Sequence, residues 1–181
     1  MGLLHIYCGD GKGKTTAALG LAVRAAGAGM RVHIIQLLKG SDTSELSVIQ
    51  SIPGITLERC DRNYGFVWNM TDEDKRGITE CHNSLLEKGY SMVRSGEVDM
   101  LIIDEFNAAY RSGLLDRAAA EEFLTEKPGS AELVITGREP AQMFVDSADY
   151  VSEIKCVKHP YLLRSGDHAG SFALPNPRRS A

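Results

Sequence analysis

The sequence predicts a single α/β domain with a mostly parallel sheet of about six strands and helices on both faces. Two observations favour this fold. Short apolar segments alternate along the chain with segments whose apolar residues recur at the 3.6-residue period of an α-helix. A glycine-rich segment at residues 9–13 separates the first predicted strand from the first predicted helix. The chain has 181 residues, of which 43% are hydrophobic and 24% charged, and both values are ordinary for one globular domain.

In the first half of the chain, the predicted elements follow from apolar patterning. Residues 3–8 are mostly apolar and stop at the glycines, as expected for a buried strand. In the alanine-rich segment that follows, one face of a helix is formed by Leu19, Ala22, Val23 and Ala26. Its small residues would let the helix lie close to a sheet. Pro53-Gly54 ends a second, shorter helix. The predicted elements are strands at residues 3–8, 31–38 and 55–60 and helices at residues 15–28 and 45–52.

The second half begins with an irregular segment, residues 61–70, that carries three aromatic side chains. Thr71 follows as a helix N-cap, because the next three residues are acidic and the first turn of a helix favours negative charge. We expect the folded domain to cover residues 1–162 and residues 163–181 to form an irregular, mobile tail, because glycines and prolines replace the apolar pattern there. The predicted elements are strands at residues 98–103, 131–136 and 150–154 and helices at residues 71–95, 116–125 and 140–145.

Charge and composition exclude several classes of function. Lys and Arg number 20 against 24 Asp and Glu, a net charge of -4, which argues against general electrostatic binding of nucleic acid or an anionic membrane. No apolar run approaches the roughly 18 residues of a membrane span, and the first residues do not resemble a signal peptide. The four cysteines form no CxxC pair, so we expect reduced thiols and a cytoplasmic protein; they are Cys8, Cys60, Cys81 and Cys156.

The strongest local signal is the segment Gly9–Thr16 (GDGKGKTT), which lies between a predicted strand and a predicted helix. It matches the phosphate-binding P-loop pattern GxxxxGK[ST], except that Cys8 stands in place of the first glycine. Glycines let backbone N–H groups turn towards phosphate oxygens, and the helix that follows points its positive end at the same anion. Lys14 would neutralise phosphate charge, and the Thr15 hydroxyl would bind Mg²⁺. The segment predicts a P-loop NTPase-like fold that binds a nucleotide.

Asp104 and Glu105 end the apolar strand predicted at residues 98–103. In a parallel sheet this position would deliver a carboxylate beside the phosphate site, as in a Walker B strand, so both acids are candidate metal ligands together with Thr15. The reaction is not fixed by these residues alone. Three reactions stay open: hydrolysis with Glu105 orienting water, phosphoryl transfer to a substrate hydroxyl, and transfer of the alkyl group of ATP to a strong nucleophile.

Taken together, separated blocks of the sequence resemble the P-loop type of ATP:corrinoid adenosyltransferase, also called cob(I)alamin adenosyltransferase. Members of that family also lack the first glycine of the P-loop pattern, so Cys8 fits the resemblance. The resemblance extends over residues 3–161, and each block by itself is less specific than the set. The blocks are GDGKGKTTAALG (9–20), IIQLLKG (34–40), GFVW (65–68), IIDEFNAAYRSGLLD (102–116), ELVITGREP (132–140), ADYVSEI (148–154) and KHPY (158–161).

The resemblance implies transfer of the 5′-deoxyadenosyl group of ATP to the Co(I) centre of a reduced corrinoid, with release of tripolyphosphate. The product would be adenosylcobalamin or an adenosylated precursor, formed in vitamin B12 biosynthesis. ATP is expected to lie reversed in the P-loop, so that its 5′ carbon faces the corrin. The family also implies Mg²⁺ as cofactor, a reduced flavoprotein as electron donor and a homodimer.

Carried over by position, the resemblance gives each candidate residue a role. The catalytic residues would be Lys14, Thr15 and Glu105, and the Mg²⁺ ligands would be Thr15, Asp104 and Glu105. The ATP-binding residues would be Gly9, Asp10, Gly11, Lys12, Gly13, Lys14, Thr15, Thr16, Asn107 and Arg138. The corrinoid-binding residues would be Phe66, Trp68 and His159, with the first two keeping the axial base off cobalt.

Simpler roles stay open for several of these residues. Phe66 and Trp68 would then only anchor a loop to the core, Asn107 would order the loop after the metal site, and Arg138 would pair with the adjacent glutamate or another acid. His159 would be a hydrogen-bonded structural residue.

Two alternative functions also stay open. One is a kinase or ATPase that releases ADP, and the other is a non-catalytic carrier that binds ATP and corrinoid for a client enzyme. Residues 162–170 depart from the family pattern, which leaves the corrinoid specificity open and keeps the carrier as an alternative. Gln36 and Lys39 are expected to shape the nucleotide pocket.

Overall fold

The computed structural model describes residues 2–40 and 43–158. The predictions for His159 and for the irregular tail lie outside these residues and stay predictions. The strands are β1 (Leu4–Cys8), β2 (Val32–Gln36), β3 (Ile55–Arg59), β4 (Met100–Asp104), β5 (Glu132–Thr136) and β6 (Tyr150–Glu153). They form one sheet in the order β3-β2-β4-β5-β1-β6, and every neighbouring pair is parallel. The predicted sheet is confirmed.

The predicted helices are also present. One further α-helix and a single 3₁₀ turn at Val67–Asn69 were not predicted. The helices are α1 (Lys14–Gly27), α2 (Leu46–Gln50), α3 (Asp72–Arg94), α4 (Phe106–Arg111), α5 (Arg117–Glu126) and α6 (Gln142–Ser147). The unpredicted helix, α4, begins only one residue after β4, and no glycine or proline separates it from that strand. None of the helices in the described segments is long and apolar enough to cross a membrane.

The core consists of two apolar layers, one on each face of the sheet. On one face, Ala18, Ala22 and Ala25 of α1 are buried against strand residues such as Ile34 and Ile102. These small side chains let α1 lie close to the sheet. The predicted face of this helix was wrong except for Ala22, because Val23 is 43% exposed and Ala18 and Ala25 are buried in place of Leu19 and Ala26. The other face is covered by α3 to α6, whose buried residues include Leu86, Phe106, Phe123 and Phe144.

Helix α3 begins at a capping box centred on Thr71. The Thr71 hydroxyl accepts a hydrogen bond from the backbone N–H of Asp74, and the Asp74 carboxylate accepts one from the backbone N–H of Thr71. Two backbone donors at the start of the helix are thereby satisfied. The predicted N-cap is confirmed, and the cap fixes the point at which the irregular aromatic segment ends and α3 begins.

The expectation of reduced thiols was wrong for two of the four cysteines. Cys60, directly after β3, forms a disulfide with Cys81 of α3, 21 residues along the chain, whereas Cys8 and Cys156 are free. Their separation of 21 residues does not predict a pair, and the two cysteines meet because α3 packs beside the end of β3. The disulfide ties the start of the aromatic segment to the middle of α3.

We expect the Cys60→Ser/Cys81→Ser double variant to lose about 3 kcal/mol of unfolding free energy, because the crosslink closes a loop of 21 residues in the unfolded chain. Urea unfolding of the variant and of the non-reduced parent measures this difference. Cys156→Ser, which removes a free thiol, is the control and should leave the unfolding free energy within about 0.5 kcal/mol of the parent. A thiol titration of unfolded, non-reduced protein that finds every cysteine reactive would contradict the pairing.

Candidate active site

The candidate site lies at the carboxyl edge of the sheet, where the ends of all six parallel strands meet. The P-loop follows β1, and the acidic pair Asp104 and Glu105 follows β4. Arg138 follows β5, and Lys39 lies just beyond β2. Residues far apart in sequence therefore gather at one edge because the strands share one direction.

Two glycines of the P-loop are required by a close approach to the chain after β6. Gly11 donates its backbone N–H to the carbonyl oxygen of Ile154 at 2.8 Å. A Cβ at Gly9 or Gly11 would lie 2.4 or 2.7 Å from that same oxygen, which is too close for any side chain. Asp10 holds the other side of this contact, since its carboxylate accepts the backbone N–H of Cys156 at 3.0 Å. This hydrogen bond lowers the pKa of Asp10.

The amino end of α1 is open to an anion. Gly13 precedes the helix with a φ of 123°, a conformation that favours glycine, and no side chain caps the helix there. The first backbone N–H groups of α1 and the positive end of its dipole therefore point into the P-loop. The Lys14 ammonium lies over the loop and donates to the Gly11 carbonyl oxygen at 2.8 Å. Burial, followed by the nearby charge of Arg138, lowers the pKa of Lys14.

The centre of the site is the Asp104 carboxylate, whose side chain is only 2% exposed. Its Oδ1 accepts from the hydroxyls of Thr136 at 2.6 Å and Thr15 at 2.9 Å. Its Oδ2 accepts from Lys39 Nζ at 2.5 Å and from Gln36 Nε2 at 3.4 Å. The predicted neighbourhood of Thr15 and Asp104 is thus present, with Lys39 as the charged partner of the acid.

Glu105 has an unusual backbone conformation next to this carboxylate. Its φ is 60°, in the left-handed region, and its backbone N–H donates to the Thr136 hydroxyl at 3.0 Å. Burial, with a smaller effect of the Asp104 charge, raises the pKa of Glu105. Burial therefore makes the charged form of this carboxyl group costly unless a cation lies nearby.

The structure places Asn107 and Arg138 around the loop after β5. Asn107 is buried and donates its side-chain N–H to the Gly137 carbonyl oxygen at 3.3 Å, so it orders this loop. Glu139, which follows Arg138 in sequence, forms an ion pair with Arg111 of α4. After burial, the charge of Arg138 is the main cause of the lowered pKa of Lys14.

The aromatic pair Phe66 and Trp68 does not anchor its segment to the core. The two rings are 56% and 68% exposed and stack on each other with centroids 4.6 Å apart. The segment is held instead by Met70, which packs with Ile78 and Leu114 in a small core cluster. The pair is therefore an exposed, flat apolar surface on an anchored segment.

Two residues of the site, Thr136 and His82, were not predicted from the sequence. Thr136 ends β5 and bridges Asp104 and Glu105 through its hydroxyl, and its position at the end of a predicted strand was a usable signal. His82 lies in the middle of α3, where the apolar period concealed it. Its Nε2 accepts the backbone N–H of Leu38 at 3.2 Å, and its Nδ1 lies 2.8 Å from the Leu114 carbonyl oxygen. These contacts require the neutral ring with the proton on Nδ1.

The chain is similar to known corrinoid adenosyltransferases along most of its length. A family model described as ATP:corrinoid adenosyltransferase BtuR/CobO/CobP matches residues 1–170. A corrinoid adenosyltransferase of Sinorhizobium sp is 33% identical over 167 residues, which cover 91% of this chain and 76% of that protein. The one of Pseudomonas aeruginosa is 30% identical over 88% of this chain and 78% of its own length. A corrinoid adenosyltransferase of Salmonella typhimurium is 30% identical over 88% of this chain and 80% of its own length.

We expect the unfolding free energy to fall as the pH is lowered from about 7 to 5, in part through His82. Burial lowers the pKa of His82, so the unfolded state takes up a proton at a higher pH than the folded state does. The stability linked to this group is present above its ordinary pKa of about 6.5 and is lost as the pH falls towards the folded value.

The variant His82→Gln separates this contribution from others. It should lose about 1–2 kcal/mol at pH 7 through the weakened hydrogen bonds, and its stability should depend less on pH in this range. His33 is also buried and has a lowered pKa, so it offers a matched control. The His33→Gln variant should still lose unfolding free energy between pH 7 and 5, because His82 remains. Equal pH slopes for His82→Gln and the parent, measured by urea unfolding, would refute the assignment.

Proposed function

Because the chain belongs to the ATP:corrinoid adenosyltransferase family, we propose that its P-loop edge holds the triphosphate of ATP as the leaving group of adenosyl transfer. The 5′-deoxyadenosyl group moves to the Co(I) centre of a reduced corrinoid, and tripolyphosphate is released. The observation that carries this proposal is the uncapped amino end of α1, where the Thr15 hydroxyl donates to the buried carboxylate of Asp104.

The charges at this edge suit a polyphosphate. Lys14 lies on the P-loop, Lys12 is exposed beside it, and Arg138 stands close enough to influence the pKa of Lys14. The charge on the leaving tripolyphosphate grows as the bond to the 5′ carbon breaks, so fixed cations stabilise the transition state more than the ground state.

Attack by Co(I) requires no proton to be removed, because the nucleophile is an electron pair on cobalt. The protein therefore need not supply a general base, and its work is to position the two substrates and neutralise the leaving group. This requirement matches a site in which the acidic residues are surrounded by donors and cations. Asp104 accepts hydrogen bonds from Thr15, Thr136 and Lys39 and is held as an acceptor.

The residues around Asp104 fit Mg²⁺. Thr15 and the carboxylates of Asp104 and Glu105 are oxygen donors, and the Lys39 ammonium on Asp104 shows that this position attracts a cation. Within residues 2–40 and 43–158, no three His, Cys, Asp or Glu side chains are grouped closely enough to hold a metal by themselves. Mg²⁺ would therefore take further oxygens from the phosphates and water, as it does in other nucleotide sites, and when bound it would neutralise triphosphate charge.

The stacked pair Phe66 and Trp68 is our candidate contact for the lower face of the corrin. A flat apolar surface of this kind would exclude the axial base from cobalt, and a cobalt without that ligand is easier to reduce to Co(I). The exposure of both rings supports this role, because side chains that serve only the core would be buried.

The same proposal includes four further expectations. They are a reduced flavoprotein as electron donor, a homodimer, a cytoplasmic location and a corrinoid contact by His159.

Anaerobic incubation with MgATP and chemically reduced cobalamin tests the proposed reaction. We expect adenosylcobalamin and tripolyphosphate in equal amounts. Lys14→Ala should lower the rate by at least about 100-fold, because it removes a cation from the leaving group. Lys88→Ala, an exposed lysine of α3, is the control and should not change the rate. ADP with unmodified corrinoid would identify a kinase or ATPase instead, and tight binding of both ligands without products would identify a carrier.

Trp68→Ala tests the role of the aromatic pair. We expect a rate loss of roughly tenfold or more when Co(II) and a reductase supply the cobalt, and less than about threefold when Co(I) is supplied chemically. Tyr150, another exposed and stacked aromatic residue, lies at the start of β6, and Tyr150→Ala should alter neither rate. Equal losses by Trp68→Ala in the two assays would argue against a role in reduction.

A further inference from the structure

We infer that Lys39 is a built-in cation of the carboxylate site, which keeps a divalent ion off Asp104 until a nucleotide arrives. The inference deepens the proposed function and rests on it for the identity of the nucleotide. It assigns Lys39 as a positioning residue that makes metal binding depend on the triphosphate.

The Lys39 ammonium lies where a divalent ion would bind. Lys39 Nζ lies 2.5 Å from Asp104 Oδ2 and 3.4 Å from Thr15 Oγ1, the two side chains that best fit a Mg²⁺ ion. A Mg²⁺ ion sits about 2.1 Å from its oxygen ligands. An ion bound to the same two oxygens would overlap the ammonium or face its charge at close range, so the two cations exclude each other.

The backbone before Lys39 holds its ammonium at this place. Leu37 donates its backbone N–H to the Asp104 carbonyl oxygen at 3.1 Å, which continues the pairing of β2 with β4 beyond the end of the strand. Leu38 then adopts a left-handed conformation with a φ of 56°, and His82 holds its N–H. This turn directs Lys39 back over the sheet edge, where its side chain is 21% exposed. The next residue, Gly40, packs closely against Asn63, where a Cβ would lie 2.5 Å from the Asn63 Cα. This contact holds the chain on the far side of Lys39.

A further support is the charge requirement of the acid. Asp104 is almost fully buried and stands next to Glu105, so a partner cation is needed whenever no metal is bound. Lys39 meets that need in the nucleotide-free protein. A triphosphate offers the ammonium other oxygens, so the lysine can transfer its hydrogen bond from Asp104 to phosphate and leave the carboxylate to the metal. Nucleotide and metal should therefore bind with positive coupling.

Mn²⁺ alone is the probe, with binding followed by electron paramagnetic resonance and calorimetry in the absence of corrinoid. Lys39→Met should bind Mn²⁺ without nucleotide about tenfold more tightly than the parent does. It should also bind metal-free ATP more weakly and lose most of the coupling between ATP and Mn²⁺. Lys39→Arg keeps the positive charge and should resemble the parent. A further Asp104→Asn change should remove the Mn²⁺ affinity gained in Lys39→Met.

Lys127→Met is the matched control. Lys127 pairs with Asp149 at 2.9 Å and is 12% exposed, but Asp149 binds the backbone N–H of Leu4 at the opposite edge of the sheet. Its removal should leave Mn²⁺ affinity unchanged. Lys39→Gln provides a second neutral variant if Lys39→Met does not fold, and circular dichroism verifies folding.

An unchanged Mn²⁺ affinity in the folded neutral variants would overturn the inference, even if the parent forms adenosylcobalamin. Tighter Mn²⁺ binding in a protein that forms no adenosylcobalamin would uphold the role of Lys39 and overturn the proposed reaction. The two failures are therefore distinguishable, because the binding measurements do not require turnover.

Discussion

The arrangement of the site depends on one buried carboxylate. Asp104 is stable in the interior only because hydroxyl, amide and ammonium groups donate to both of its oxygens. These donors come from α1, from β2 and the segment after it, and from β5, which are widely separated in sequence. Satisfying this single acid therefore fixes where the P-loop, the end of the second strand and the end of the fifth strand lie relative to one another.

Two strained residues beside this carboxylate are held by hydrogen bonds from the surrounding structure. Leu38 and Glu105 follow neighbouring strands and both have left-handed backbones, which cost non-glycine residues on the order of 1 kcal/mol each. His82 accepts the N–H of Leu38, and Thr136 accepts the N–H of Glu105. Strain of this kind persists only where the surroundings over-determine the conformation. Here the left-handed conformations turn the chain at Leu38 and Glu105, so that Lys39 and Glu105 lie at the carboxyl edge of the sheet. An extended continuation of either strand would not place them there.

The sequence was sufficient for whatever local patterning determines, and it was insufficient for contacts between distant segments. Every strand, the P-loop and the cap at Thr71 followed from apolar period, glycine chemistry and charge within a few residues. The disulfide between Cys60 and Cys81 was missed because their proximity depends on the packing of α3. The ion pair of Lys39 with Asp104 and the contact of His82 with Leu38 were missed for the same reason. Helix α4 was missed because it begins one residue after β4, with no glycine or proline to mark the change.

Helix α3 connects the two halves of the proposed reaction. Cys81 holds the start of the aromatic segment, and the next residue, His82, holds the turn that delivers Lys39 to Asp104. One turn earlier, Ile78 packs with Met70 at the end of the aromatic segment. Adenosyl transfer requires the 5′ carbon of ATP and the cobalt to meet at bonding distance, so the nucleotide side and the corrin side must keep a fixed separation. Attachment of both sides to adjacent residues of one long helix would supply that separation in the proposed reaction, in which the exposed Phe66 and Trp68 are the proposed corrin contact.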